Sequence, residues 1–159
     1  MNDFRSVDDL LEIAIRVERC MLDYYKRMRD HIEHDLSKEQ FDALAAEEQA
    51  HIIMLRRFKD SCADDEEEYN LKAGPVKSQD GLVTHAMRIF NRAEEMSDTV
   101  DALGASGIGV EMETESVLFF AVLSDFFLGE QHDLIARILS DEGSHLLKSI
   151  SMTKKTDFS

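Results

Sequence analysis

The segment LAAEEQAHIIML, residues 44–55, carries Glu48 and His51 at positions where the buried stripe of an amphipathic helix normally holds apolar side chains. Residues three apart on an α-helix lie on one face, so the Glu48 carboxylate and the His51 imidazole point toward the same interior location. The stripe is apolar one turn away on either side, at Leu44 and Leu55. A polar pair inside this stripe predicts a buried site on the helix.

The same pattern recurs near the C-terminus, where Glu142 and His145 are again three residues apart on an apolar stripe. Each pair is preceded by a further stripe glutamate at nearly the same distance: Glu18 lies 30 residues before Glu48, and Glu113 lies 29 residues before Glu142. Two E-x-x-H matches in register within two similar halves are hard to obtain by accident. We therefore interpret them as the two halves of one site.

Charge balance indicates what this site holds. Burying isolated carboxylates costs several kcal/mol per ion, so the glutamates need either protons, with strongly raised pKa values, or cations. Two divalent cations would balance four carboxylates, with both imidazoles ligating in their neutral form. Oxygen and nitrogen donors without thiolate suit iron or manganese better than structural zinc. The predicted metal ligands are Glu18, Glu48, His51, Glu113, Glu142 and His145.

The composition favours a single helical domain. The chain has 159 residues, of which 43% are hydrophobic, with one proline and seven glycines to interrupt helices. We expect one domain over residues 1–159. A formal net charge of -15 argues against a nucleic-acid partner and against an anionic membrane surface, because both require a basic face.

The cysteines and the N-terminal segment indicate where in the cell the protein is expected. Cys20 and Cys62 form neither a C-x-x-C pair nor a disulfide framework. The N-terminal segment lacks the basic start and apolar core of a signal peptide, and no apolar stretch approaches the length of a membrane span. We expect a cytoplasmic protein that does not bind membranes.

Apolar residues at spacings of three and four predict four long helices. Ser6 is expected to cap the first helix, and the spacing from Ser37 to Gln40 is typical of a capping box at the start of the second. Gly129 suits the C-terminal cap of the third helix. The predicted helices cover about residues 6–33, 37–62, 97–128 and 130–152.

The connection between the second and third helices is long. Residues 63–81 hold an acidic run, the only proline and two glycines, and predict an exposed connection. VTHAMRIFNRAEEM, residues 83–96, predicts a short helical segment within this crossover. The glycine-rich GASGIG, residues 104–109, either breaks the third helix or permits a close helix contact, and the pattern does not decide between them. The prediction is an all-α four-helix bundle of two similar hairpins.

The two halves also match around their first glutamates. ERCMLDYY begins at Glu18 and ETESVLFF at Glu113, each with two aromatic residues six and seven positions on. A glutamate on each of two helices and E-x-x-H on each of the other two resembles the ferritin-like di-iron carboxylate proteins. This spacing and the phrase LAAEEQAHIIML are most similar to the rubrerythrin branch, over about residues 6–150.

This resemblance implies a non-haem di-iron oxidoreductase that reduces hydrogen peroxide or dioxygen or oxidises ferrous ion. The implied cofactor is two iron ions, with manganese or zinc as alternatives. Full rubrerythrins carry a rubredoxin module that this chain lacks, so we expect an external electron donor, either rubredoxin-like or a flavoprotein. We also expect a homodimer or a higher homo-oligomer. The alternatives are an iron- or manganese-binding, storage or delivery protein without efficient turnover, and a purely structural bundle.

Several residues near the predicted ligands also bear on the site. The family's peroxidases tend to use a further glutamate on the third helix, but the positions three residues either side of Glu113 are Val110 and Ser116. The resemblance suggests that Tyr25 donates a hydrogen bond to a carboxylate across the site, whereas aromatic residues on a stripe are usually plain core. Glu47 is either an exposed glutamate, which is the favoured interpretation, or an outer partner of a metal ligand. Three further residues are expected on the surface or in ordinary packing: His85, Glu111 and Glu115.

Overall fold

The computed structural model describes residues 6–33, 35–62, 68–69, 71, 79–97 and 102–157. The described elements are five helices: α1 (Val7–His31), α2 (Asp35–Ser61), α3 (Gln79–Ser97), α4 (Ala102–Ser124) and α5 (Gly129–Asp157). Helices α1 and α2 pack as one hairpin and α4 and α5 as the other, while α1 also contacts α4. The predicted all-α bundle of two hairpins joined by a long crossover is confirmed.

The start of α1 shows how a local sequence signal sets a helix boundary. The Ser6 side chain accepts a hydrogen bond from the Asp9 backbone N–H at 3.1 Å, and the Asp9 carboxylate accepts one from the Ser6 backbone N–H at 3.3 Å. Such a reciprocal cap satisfies two N–H groups that have no partner within the helix, and a cap of this kind contributes about 1 kcal/mol. The predicted cap at Ser6 is confirmed.

The crossover contains a longer helix than the sequence pattern predicted. Helix α3 already includes residues 79–81, which were assigned to the exposed connection, and it continues to Ser97, the predicted start of the next helix. It is ordered by a buried stripe that packs against α4 and α1. Most of the remaining predicted connection lies outside the described residues. The buried stripe of α3 consists of Leu82, Ala86, Ile89 and Met96.

The predicted helix 97–128 is wrong at both ends. Helix α4 begins at Ala102 and ends at Ser124. The chain turns after Ser124, where the Phe127 backbone N–H donates a hydrogen bond to the Ser124 carbonyl oxygen at 3.3 Å. This turn buries both Phe126 and Phe127, and Phe127 forms a backbone bridge with Leu71. Because the apolar pattern continues through these phenylalanines, it predicts a helix that runs past the observed end at Ser124.

The other boundaries differ by smaller amounts. Helix α2 begins at Asp35, so Ser37 lies inside its first turn instead of capping it. Gly129 adopts a left-handed φ of 60°, but at the start of α5 instead of at the end of α4. Helix α5 also extends to Asp157, beyond the predicted end at residue 152. Among the helices described, none is long and apolar enough to cross a membrane.

The glycine-rich segment lies inside α4 and serves a close contact between helices. Gly109 lies against the ring of Tyr24 on α1, and a Cβ atom at Gly109 would approach that ring more closely than non-bonded atoms can. Tyr24 is itself 2% exposed, so the ring has little room to move. A Cβ atom at Gly107, two residues earlier, would meet nothing within 4 Å. Of the two alternatives for GASGIG, the structure shows the close contact.

We predict that Gly109→Ala destabilises the protein by about 1–3 kcal/mol, because the added methyl group must displace the Tyr24 ring from a packed core. The matched control is Gly107→Ala, which adds a methyl group in open space and removes a flexible residue from a helix. It should stabilise the protein by about 0.5–1 kcal/mol. Urea unfolding of both variants measures the difference, and equal effects would contradict the close contact.

Candidate metal centre

All six predicted ligands are buried at the centre of the bundle. Helices α1 and α4 contribute one glutamate each, and α2 and α5 contribute one E-x-x-H pair each, as the helical stripes predict. None of the six residues is more than 2% exposed. These residues are Glu18, Glu48, His51, Glu113, Glu142 and His145.

One half of the cluster forms around His51. Ligand atoms of Glu18, Glu48, His51 and Glu142 all lie within 4.8 Å of one another. The His51 Nδ1 atom lies 3.1 Å from Glu18 Oε2 and 3.1 Å from Glu142 Oε1. Three helices therefore bring oxygen and nitrogen donors to one point, which is the arrangement that a cation requires.

The other half forms around His145, whose Nδ1 atom lies 2.7 Å from Glu48 Oε1 and 3.9 Å from Glu142 Oε2. The opposite oxygens of the same carboxylates face His51, at 3.9 Å from Glu48 Oε2 and 3.1 Å from Glu142 Oε1. Each E-x-x-H glutamate thus presents one oxygen to each imidazole. Glu48 and Glu142 would therefore help to hold cations beside both histidines.

Glu113 is held by hydrogen bonds and lies outside the four-residue group around His51. Its Oε1 atom accepts hydrogen bonds from the Tyr25 hydroxyl at 2.7 Å and from the Ser149 hydroxyl at 2.6 Å. The bond from Tyr25 to a carboxylate across the site, which the resemblance suggested, is therefore present. Ser116, at the position where a further glutamate was considered, donates to Glu142 Oε2 at 3.3 Å.

Each imidazole is also bound on its outer side by an acidic residue of the opposite E-x-x-H helix. His51 Nε2 lies 2.9 Å from Asp141 Oδ2, and His145 Nε2 contacts Glu47 Oε2. An N–H on Nε2 that donates outward leaves Nδ1 as the acceptor that faces the interior, which is the tautomer a metal ligand needs. The two acidic side chains are 44% and 48% exposed, so they sit at the rim of the site.

The sequence pattern missed these outer contacts. For Glu47 the pattern favours an exposed surface residue over an outer partner of a ligand, and it gives no role to Asp141. Both residues immediately precede an E-x-x-H glutamate, so the repeated pattern is an acidic residue followed by E-x-x-H. That repetition was the available signal. Of the other expected surface residues, Glu111 is 55% exposed, but Glu115 is only 18% exposed and lies 2.5 Å from His85 Nδ1.

Several buried polar atoms in the cluster have no hydrogen-bond partner. They are Glu18 Oε1, both carboxylate oxygens of Glu48, Glu113 Oε2 and His145 Nδ1. The 2.7 Å approach of His145 Nδ1 to Glu48 Oε1 does not have the orientation of a hydrogen bond. Unpartnered buried groups are costly and rare in folded proteins. Atoms of this kind on both sides of the cluster fit a pair of metal ions.

Protons and cations compete for these atoms. Burial raises the pKa of Glu142 to about 7 and that of Glu113 to about 8. Burial, together with the charges of Glu142 and Glu48, also raises the pKa of Glu18 well above its usual range. Burial opposes the charged form of His145, but the adjacent Glu48 and Glu142 carboxylates outweigh it and raise the His145 pKa to about 9. Without metal, the cluster therefore retains protons near neutral pH.

Fold and site together define a ferritin-like helical bundle with a carboxylate and histidine centre that fits a di-iron site. Comparison with protein-family models matches residues 9–149 to the rubrerythrin family, which typically binds two irons. The chain belongs to the rubrerythrin family. Comparisons with curated proteins and with solved structures gave no match.

We predict that Tyr25→Phe weakens manganous-ion binding by about tenfold, because it removes a donor that orients the Glu113 carboxylate. Tyr24→Phe is the matched control, since the Tyr24 hydroxyl is also buried but bonds to Ser106 instead of to the cluster. Calorimetric titration of both variants measures the affinities. Equal affinities would show that the Tyr25 hydroxyl does not act on the site.

We also predict that manganous-ion affinity rises between pH 6 and pH 8. Below their raised pKa values Glu142 and Glu113 hold protons, which a cation must displace, so acid weakens binding and alkali strengthens it. The expected increase is at least about tenfold over this range. Titrations in two buffers of different ionisation enthalpy would count the protons released. An affinity that does not change with pH would contradict this competition.

Proposed function

We propose that this protein is a non-haem di-iron oxidoreductase that reduces hydrogen peroxide or dioxygen while ferrous ions are oxidised. The observation that carries the proposal is the buried set of four carboxylates and two imidazoles, in which Glu48 and Glu142 each face both histidines. Reduction of peroxide to water requires two electrons, and a pair of ferrous ions supplies one electron each. Iron is the favoured metal, with manganese or zinc as alternatives for the same donor set.

The protein side chains have separate roles in this proposal. Glu18, Glu113 and the two histidines hold the ends of the site, and Glu48 and Glu142 lie between them. Asp141 and Glu47 keep the Nδ1 atoms of the imidazoles directed inward. The Tyr25 hydroxyl donates a hydrogen bond to Glu113 Oε1, with 2.7 Å between the two oxygen atoms, and so fixes the orientation of that carboxylate. The surrounding apolar core excludes bulk water.

Turnover requires the site to be reduced again after each cycle. We therefore propose an external electron donor, either rubredoxin-like or a flavoprotein. A reducing, cytoplasmic location suits the two free cysteines, Cys20 and Cys62. We also propose self-association, for which the described surface offers exposed apolar side chains. These include Met87 and Leu118, which are 49% and 42% exposed.

The second candidate function is binding, storage or delivery of iron or manganese without efficient turnover. It is favoured by the environment of α4, where no further carboxylate among the described residues joins the cluster. Glu111 pairs with Arg92 at 2.7 Å and Glu115 pairs with His85. Ser116 occupies the position where a further glutamate was considered. Within the described part of α4, no second glutamate joins Glu113 at the cluster for a peroxidase mechanism that exchanges one glutamate ligand for another.

We predict that the wild-type protein, loaded anaerobically with ferrous ion, binds about two irons per chain, develops a near-ultraviolet band on mixing with hydrogen peroxide and consumes peroxide when a reductant is added. Glu113→Ala should lose the band and lower peroxide consumption by at least about tenfold, because a buried donor is missing. Glu111→Ala, on the same helix but at an exposed residue, is the control and should retain both.

The outcomes separate the candidate functions. Iron uptake with a band but without steady-state consumption of peroxide would favour the binding protein. An unchanged band in Glu113→Ala would contradict the ligand assignment. A protein that takes up no metal and keeps its full thermal stability after treatment with chelator would favour a structural bundle.

A further inference from the structure

A groove of about 400 Å³ lies between α2 and α5 beside the metal centre. Four apolar side chains line it: Ala43, Leu44, Leu147 and Met152. A water molecule occupies about 30 Å³ in the liquid, and hydrogen peroxide is only slightly larger, so peroxide alone would leave most of this space unfilled. Clefts that bind small organic ligands are commonly of about this volume.

The groove contacts the site through one pair of side chains. Glu47 lines it and also contacts His145 Nε2, while His145 Nδ1 lies 2.7 Å from Glu48 Oε1. Leu44, in the groove wall, precedes Glu48 by one helical turn, which is a rise of about 6 Å. If the reactive end of a ligand lies at Glu47, only the Glu47 side chain separates it from the proposed metal ligand His145.

The charges of the groove favour a neutral ligand with a polar hydrogen-bond donor. Glu47 and Lys148 carry opposite charges, so the lining has no net charge that would select an ion. The net charge of -15 for the whole chain further disfavours an anion. The half-exposed Glu47 carboxylate can accept a hydrogen bond, and Leu147, which is 70% exposed, provides an apolar edge.

We propose that this groove binds an alkyl or aralkyl hydroperoxide, with its O–O–H group donating to Glu47 and its hydrocarbon part against Leu44, Leu147 and Met152. This inference rests on the proposed peroxide-reducing function and specifies its substrate class. The O–O bond breaks as the hydroperoxide takes up two electrons and two protons, which yields one alcohol and one water. The two electrons are those that a pair of ferrous ions supplies.

The test fills the groove without changing a ligand. Ala43→Phe places a ring in the groove, whereas Ala50→Phe adds the same ring on an exposed face of α2 one heptad further on, outside the groove. For the iron-loaded protein with a reductant, we predict that Ala43→Phe lowers the ratio of kcat/KM for cumene hydroperoxide to that for hydrogen peroxide by at least about tenfold. Ala50→Phe should leave this ratio as in the wild type.

A binding measurement on the metal-free protein tests the groove independently of turnover. Cumyl alcohol, the product of cumene hydroperoxide reduction, should bind the wild type and Ala50→Phe in ligand-detected NMR, and its signal should be lost in Ala43→Phe. Absence of alcohol binding to the wild type, or an equal loss of both peroxide activities in Ala43→Phe, would overturn the proposal. If no peroxide is turned over but the alcohol binds and Ala43→Phe abolishes that binding, the proposed function fails and the groove stands as an organic-ligand site.

Discussion

Four carboxylates are buried in the middle of the helical core, and the surrounding side chains must compensate their charge. Moving an ion from water into a protein core costs free energy unless an opposite charge and hydrogen bonds compensate for the lost hydration. Glu48 and Glu142 are directed at both imidazoles, whereas Glu113 is held by two hydroxyl groups. The oxygens that remain unpartnered face the cluster, where protons or cations compensate their charge.

This constraint also joins the two hairpins. The E-x-x-H helices α2 and α5 belong to different hairpins, and each supplies an acidic residue to the histidine of the other, Asp141 to His51 and Glu47 to His145. The same contacts that orient the imidazoles therefore connect α2 with α5. The groove between these two helices is lined by Glu47, one of the two acidic residues that make this connection.

The two halves of the site are similar but not equivalent. Tyr25 donates to Glu113, while the matching residue of the second half, Phe120, is buried and has no hydroxyl group. Glu113 Oε1 consequently accepts two hydroxyl hydrogen bonds, whereas Glu18 Oε2 lies against the His51 imidazole, and the second oxygen of each carboxylate is unpartnered. The groove also lies on the His145 side. The two halves of the cluster are thus unequal, and the proposed substrate groove adjoins the His145 half.

The all-α class, the cap at Ser6 and the six polar residues buried at the centre could be predicted from the sequence, because helical periodicity places residues three and four apart on one face. Which helix faces meet depends on the packing of the whole chain. Contacts such as Asp141 with His51, or Gly109 with Tyr24, join residues far apart in the chain and leave no local periodic signal. The end of α4 was likewise decided by the burial of Phe126 and Phe127, since a continuous apolar pattern does not reveal where packing turns the chain.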